Sequence, residues 1–370
     1  MTGAPFEDRL YRCQDKLAEQ GVDALVLFPS PNFYYLTGFE EEPAERHLFA
    51  FVTTDDFAIV APTMYADQIK AETFIKEVYD WDDGEDPMAV VEDVLDQLDV
   101  SDSKVLLDDR MFALFSLDLQ KALPEASFGL ASEVLDDLRI IKDETELEAL
   151  REAGRISDEA SETVRAMGAD AVGLTEAELV EKIRAELEAR GGEGFSFDAI
   201  VGSGPNGAQP HYRHGDREIQ AGEPVILDFG TSYDSYPGDQ TRTAVFDGEP
   251  PAGFEEIHTL VNDALDAAVE AVEPGVTAGS IDEAARSVIE NAGYGEQFIH
   301  RTGHGLGLEV HEEPYIVADN DTVLEPGMVH SIEPGIYLEG EYGARIEDIV
   351  VVTENGCERL NNSPRTWEAL

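Results

Sequence analysis

Between Gly173 and Gly191 the chain reads GLTEAELVEKIRAELEARG, and between Gly275 and Gly293 it reads GVTAGSIDEAARSVIENAG; the two segments align without a gap. Glycine stands at both ends and threonine at the third position of each. Glu181, Arg184 and Glu188 fall against Glu283, Arg286 and Glu290, while Leu174, Leu179 and Leu187 fall against Val276, Ile281 and Ile289. Each copy predicts a helix closed by a C-terminal glycine. The correspondence continues downstream. Gly222 leads through a strand to Asp228 in GEPVILDFG, and Gly327 leads over the same distance to Glu333 in GMVHSIEPG. A turn-rich segment and a second strand follow in both cases, with Asp239 near the start of DQTRTAVF and Glu347 in RIEDIVVV. His211 in NGAQPH falls against His311 in LGLEVH. A chain that repeats itself in this way is restricted to folds with two similar halves, each built as helices followed by a strand hairpin.

A pseudo-twofold arrangement of this kind brings equivalent positions to a shared cleft, so Asp228, Asp239, Glu333 and Glu347 are expected to meet there. Four buried carboxylates repel one another, and such a cluster either keeps protons or holds cations. Two divalent ions balance four carboxylates, and one neutral imidazole completes the sites without adding charge. Oxygen-rich coordination with a single histidine suits manganese, cobalt or iron, accommodates zinc, and excludes metals that prefer thiolates. Two ions about 3.5 to 4 Å apart polarise a carbonyl and generate a hydroxide nucleophile at neutral pH.

The rest of the chain sets the context. With 370 residues, 42% of them apolar, and 17 Phe, it can bury a large core and is expected to form two domains. Residues 1–136 alternate strand-like runs (DALVLF, HLFAFVT, FAIVAP, SKVLLD) with helical patterns such as EDRLYRCQDKLAEQG, which implies a small α/β domain. Residues 137–370 form the repeated domain, entered through LRIIKDETELEALREAGRISDEASETVRAM, a helical pattern with Asp143 and Glu144 in its first turn. The formal charge of −54, with 7 Lys among 25 basic residues, reads as the solvated surface of a halophile, whose repulsion concentrated salt would screen. The same sign disfavours nucleic acid and anionic membrane as partners. The start, MTGAPFEDRL, has neither a basic nor an apolar leader region, so a cytoplasmic location is expected. Cys13 and Cys357 lack metal or disulfide spacing.

VGSGPNGAQPH, ILDFG, GDQTRT, HRTGHGLGLEVHEEP, SIEPGIY and ARIEDIVVVT occur in that order. In this the second domain resembles the pita-bread metallopeptidases of family M24, which include aminopeptidase P, prolidase and methionine aminopeptidase. The first domain, with FPSPNFYYLTGF, resembles the creatinase-type N-terminal domain of aminopeptidase P and prolidase. The resemblance implies an α/β (α+β) chain in which Asp228 binds one metal, His304 and Glu333 bind the other, and Asp239 and Glu347 bridge. It implies that His211 and His311 hydrogen-bond the substrate carbonyl and the tetrahedral intermediate, that His300 sits on the leaving-residue side, and that Glu333 is the general base. Gly303, Gly305 and Gly307 are expected to let backbone and substrate approach closely. The implied enzyme is a homodimeric exopeptidase with two divalent ions, manganese or cobalt first, acting on small peptides with proline second. Its rivals are a methionine aminopeptidase, a creatinase-like C–N hydrolase and a non-catalytic binding protein on the same fold.

Other polar residues carry less. His214 and His258 are expected at the surface. His330 lies an odd step from Glu333 along a strand and is expected to be structural. Arg345 shares a face with Glu347, where it would hold a ligand carboxylate in place or, as the alternative, bind the substrate's C-terminus. Tyr212, Arg213 and Asp234 lie in neighbouring loops without an assigned role.

Overall fold

The computed structural model describes residues 3–370, which fall into two compact units divided between Arg139 and Ile140. The first unit carries a six-stranded sheet in the order Tyr79–Trp81, Phe57–Pro62, Phe49–Thr53, Ala24–Leu27, Lys104–Leu107, Ser127–Leu130. The central strands are those whose apolar runs are legible in the sequence. The two edges are short, three and four residues, and partly exposed, so they leave little pattern. Val26, Phe49, Val60 and Val105 form the middle of its core. The division falls three residues beyond the expected boundary, because the helix Ser132–Arg139 buries Val134, Leu135 and Leu138 in the first unit.

In the second unit the repeat is visible in the backbone itself. Thr175 and Thr277 each cap a helix of 14 residues, Glu176–Ala189 and Ala278–Asn291, through the side-chain oxygen. Gly173 and Gly275 stand at φ of 89° and 93°, and Gly191 and Gly293 at 92° and 89°. These left-handed conformations are open to glycine at little cost, which is why both ends of the repeat are glycine. Each helix packs on a longer partner, Glu144–Arg165 in the first half and Phe254–Ala271 in the second. The entry helix starts at Glu144, later than the LRIIK segment, because Asp143 and Glu146 form a capping box that sets its first turn.

The two halves have separate cores that use matching positions. Leu179 and Leu187 are fully buried with Ile156, Val201 and Leu227; Ile281 and Ile289 are fully buried with Val261, Ile332 and Val350. Burial of each such side chain is worth about 1.5–3 kcal/mol. In the first half, Val225–Asp228 pairs antiparallel with Thr241–Ala244 and with Ile200–Ser203. In the second half, Val329–Ile332 pairs with Asp348–Thr353 inside a five-stranded sheet. An antiparallel bridge from Thr241 to Glu347 joins the two sheets at their ends, where the repeated acids lie.

Candidate metal centre

Asp228 ends its strand and pairs with Thr241, two residues after Asp239; Glu333 follows its strand directly, and Glu347 precedes the partner strand Asp348–Thr353. The bridge from Thr241 to Glu347 thus draws four carboxylates together at one end of both sheets. With His304 they line a cavity of about 350 Å³, whose apolar wall includes Phe197, Ile200 and Val310. Asp228, Asp239, His304 and Glu347 are buried.

Electrostatics here is set first by burial and then by like charge. Burial, then Asp228 and Glu333, raise the Asp239 carboxyl well above the ordinary range, and burial, then Asp239, Glu333 and Asp228, do the same to Glu347. Burial pushes Glu333 up to about 8, with Arg345 opposing the rise and Asp228 adding to it. Thr241 Oγ1 donates to Glu347 Oε2 at 2.8 Å, and Arg345 Nη2 donates to Asp228 Oδ2 at 2.5 Å. The opposite oxygens, Asp228 Oδ1, Asp239 Oδ1 and Glu347 Oε1, are buried with no hydrogen-bond partner. Orphaned acceptors of this kind are costly unless something binds them.

His304 completes the set. Its Nδ1 lies 3.2 Å from Gly305 O, an atom that only accepts, so Nδ1 carries the proton and Nε2 presents a lone pair. That lone pair faces Glu333 Oε1 at 3.5 Å and Asp239 Oδ2 at 3.8 Å. Burial, and then His311, hold the imidazole down to about 3, so it is neutral. Ligand atoms of Asp239, His304 and Glu347 lie within 4.8 Å of one another. Oxygen acceptors without donors around one unprotonated imidazole nitrogen fit hard or borderline divalent cations.

The chain matches the profile of Metallopeptidase family M24 over residues 148–354, and that of the Creatinase/Prolidase N-terminal domain over 9–141. A Mycobacterium tuberculosis protein named "Probable dipeptidase PepE" is 44% identical over 365 residues, 97% of this chain and 95% of that one. The chain belongs to metallopeptidase family M24. Solved M24 neighbours include a dipeptidase from Pyrococcus horikoshii (TM-score 0.93, 38% identity, 98% of this chain and 100% of that one). A prolidase from Thermococcus sibiricus gives 0.92 and 36%, with 99% of both chains covered. The chain is accordingly a peptidase of the pita-bread fold with a creatinase-type N-terminal domain, and M24 membership implies divalent metal. Among the described residues no helix is long and apolar enough to cross a membrane.

The surrounding residues depart from expectation in three places. His300 lines the cavity, but both ring nitrogens are committed: Nδ1 donates to Arg301 O at 2.7 Å, and Nε2, left unprotonated, accepts from Tyr337 O–H at 2.9 Å. A direct polar contact from His300 to substrate is therefore corrected to a bond that orients Tyr337. Tyr337 in turn accepts from Arg345 Nη1 at 2.7 Å. Arg345 is buried and donates as well to Thr241 Oγ1 and Pro210 O, which places it beside Asp228 and leaves it no free edge for a substrate terminus. His258, expected at the surface, is buried against Phe254 with Nε2 unpartnered, and burial, with Arg165 and Arg242 adding, lowers it to about 4. The glycines let the protein's own atoms approach closely, as expected: a Cβ on Gly303 would lie 2.0 Å from Ser331 O, one on Gly305 2.2 Å from Glu313 O, and one on Gly307 2.2 Å from Glu312 Oε1.

His211 and His311 both line the cavity from exposed positions, and the His311 ring packs 4.2 Å from that of His304. His330 is fully buried, its Nδ1 donating to Ser331 O, and His214 is half-buried with Nδ1 donating to Ala199 O. Two contributors have no signal in the sequence reading. Glu176, in the first turn of its helix, is fully buried and accepts from Ser203 N and Oγ, Asn206 Nδ2 and Gly215 N, fixing the loop that carries His211. Lys142 Nζ, also buried, meets Glu312 Oε1 at 2.6 Å and holds the residue next to His311. The signal for Arg301, which also lines the cavity, is its position three residues before His304.

Proposed function

We propose that this M24 chain is a dinuclear-metal dipeptidase that cleaves Xaa-Pro substrates. Asp228 would hold one ion, His304 and Glu333 the other, and Asp239 and Glu347 would touch both. The observation that carries this reading is the set of three buried, unpartnered carboxylate oxygens, on Asp228, Asp239 and Glu347, in the cavity that His304 also lines. Manganese or cobalt suits that donor set. Ions bound there would supply Lewis-acid polarisation of the scissile carbonyl and lower the pKa of a water.

The protein's own groups supply the remainder. Glu333, half-buried at the cavity wall and pushed up to about 8, is suited to take a proton from the attacking water and return it to the leaving amine. His211 and His311 stand at the cavity lips as donors to the developing oxyanion, a role in which loss of one donor costs roughly 100-fold to 1000-fold. Arg345, held by Tyr337, keeps Asp228 in register. The apolar wall of Phe197, Ile200 and Val310 suits a proline ring, and the dipeptidase and prolidase names of the relatives support a two-residue substrate. The test is hydrolysis of Ala-Pro against Ala-Pro-Ala and Met-Ala with manganese, cobalt or zinc in molar salt. Ala-Pro should be preferred. Preference for Met-Ala would identify a methionine aminopeptidase, and no hydrolysis of any of the three would refute the reading.

A further inference from the structure

Asp239 and Glu347 belong to different halves of the second unit, and the stretches that carry them meet at the bridge from Thr241 to Glu347. Residues 361–368 span the same two halves. They form no helix or strand beyond an isolated bridge from Glu368 to Val245, and hydrogen bonds hold them instead. In the second half, Asn361 Oδ1 accepts from Ile349 N at 2.7 Å, two residues past Glu347, and the Trp367 ring packs edge-on against Phe254. In the first half, Asp158 on the helix Glu144–Arg165 accepts from Asn362 N at 2.6 Å and from Ser363 N at 2.9 Å. Arg165 of that helix donates to the carbonyls of Pro364 and Thr366, and Val245 N donates to Trp367 O at 2.8 Å.

Ser363 is the node of this network. It is buried, and besides its N–H its other two polar atoms are engaged: Oγ donates to Gln240 Oε1 at 3.1 Å, and its carbonyl accepts from Arg242 Nη2 at 3.1 Å. Gln240 directly follows Asp239, and its Nε2 donates to Asp158 Oδ1 at 2.5 Å, so Ser363 and Asp158 hold the amide by both ends. Arg242, buried on the other side of Thr241, donates to Glu347 O at 2.7 Å and to Asp348 Oδ1 at 2.8 Å. One serine thus reaches the neighbour of Asp239 directly and the backbone of Glu347 through one guanidinium. Asp158, Gln240, Arg242 and Ser363 do not line the cavity, so substrate contact does not explain them. A satisfied buried network of this kind rigidifies what it joins, and groups behind the ligands of a metal orient those ligands.

We propose that residues 361–368 are a positioning strap for the metal centre, in which Ser363, through Gln240 and Arg242, fixes the separation of Asp239 and Glu347; this rests on the reading of those two acids as ligands shared by both ions. The two acids repel each other whenever both are charged and no cation lies between them. A strap tied to both halves opposes that separation, so the site is already shaped for two ions before they bind and their affinity is higher for it.

The experiment titrates cobalt into chelator-treated wild-type protein, Ser363→Ala and Asp158→Asn in molar potassium chloride. Uptake is followed by calorimetry and by the visible cobalt spectrum, with the metal-free guanidinium midpoint as the measure of folding. Both variants should bind each ion about tenfold more weakly, the lower end of what loss of a partner behind the ligands costs, and their cobalt bands should shift. Wild-type affinity and an unaltered spectrum in Ser363→Ala would overturn the proposal whatever its midpoint, because a segment that serves stability alone leaves the bound ions as they were. Weakening confined to one ion would overturn it as well, since an acid shared by two ions does not move for one of them only. If Asp158→Asn does not fold, Ser363→Ala decides alone. Wild-type protein that takes up no cobalt would defeat the metal-centre reading and this proposal with it, whereas uptake that Ser363→Ala leaves unchanged defeats this proposal only.

Discussion

Removing metal should make the protein's stability fall as pH rises, across a range where most folds are insensitive to pH. The cause is the carboxylate cluster. In the metal-free fold Glu333 is held up to about 8, and Asp239 and Glu347 are raised well above the ordinary range, by burial and mutual repulsion. A group whose folded pKa exceeds its unfolded value binds its proton more tightly when folded. It therefore stabilises the fold at low pH, and that stability is lost as pH climbs through the folded value. The counter-effect comes from His258, His300, His304 and His330, lowered by burial to about 4, 3, 3 and 4, which withdraw stability when pH falls below their ordinary 6.5. Between pH 6.5 and 8 each histidine sheds the last half proton it holds in the unfolded chain, which returns about 0.4 kcal/mol apiece, while the carboxylates withdraw stability. Over that range, each carboxyl that keeps its proton in the fold costs about 2 kcal/mol, at about 1.4 kcal/mol per pH unit. The loss at Glu333 is about the size of what the four histidines return, so the net fall comes from Asp239 and Glu347, which are raised as well.

The assay is guanidinium unfolding of chelator-treated protein at pH 6.5, 7.25 and 8, read as the midpoint at constant slope, and repeated with excess manganese. The metal-free midpoint should drop steadily, and manganese should flatten the profile, because bound cations replace the protons. A metal-free midpoint that is level or rising from pH 6.5 to 8 would refute the claim that these carboxylates share one buried site.

Two further outcomes are expected. Glu347→Ala should lose both ions and activity together, while His311→Ala should keep both ions and lose about 3 to 4 kcal/mol of transition-state stabilisation, read as metal content beside turnover. Transfer from about 3 M to 0.1 M potassium chloride should lower the melting temperature and inactivate the enzyme, because a net charge of −54 is then less screened.

Much of the site was legible because it is repeated. The glycines with φ near 90°, the capping threonines and the four acids recur at matched places, and a duplicated pattern is visible without knowledge of the packing. Features that depend on distant neighbours were not legible. Which nitrogen of His304 or His300 carries the proton is decided by single backbone carbonyls, Gly305 O and Arg301 O. His258 lies beside Phe254 on an amphipathic helix, and its lowered value reflects its burial and then two buried arginines from other elements. Glu176 occupies a first-turn position where an acid is ordinarily solvated, and only the loop from Ser203 to Gly215 folding over it makes it a buried anchor. The edge strands Tyr79–Trp81 and Ser127–Leu130 are too short for alternation to register.

The repeat also shows what duplication alone does not supply. Both halves contribute two acids to the cleft, but its arginines and the imidazole that faces the acids come from one half. Counting back from the acid that begins the second strand, Arg345 stands two residues before Glu347, whereas the matching position before Asp239 is Pro237. On the register that sets His211 against His311, the counterpart of His304 is Gly204. The second half thus provides the neutral imidazole, whose lone pair faces Asp239 and its own Glu333, and the cation that compensates Asp228 of the first half. Four matched carboxylates by themselves make a symmetric cage of like charge. One imidazole and one guanidinium from the second half make its two sides unequal, so that one acid enters the site already paired and another faces a nitrogen donor. An exopeptidase needs that inequality, because the two ends of the bond it breaks are chemically different, and the groups that supply it are those the repeat does not duplicate.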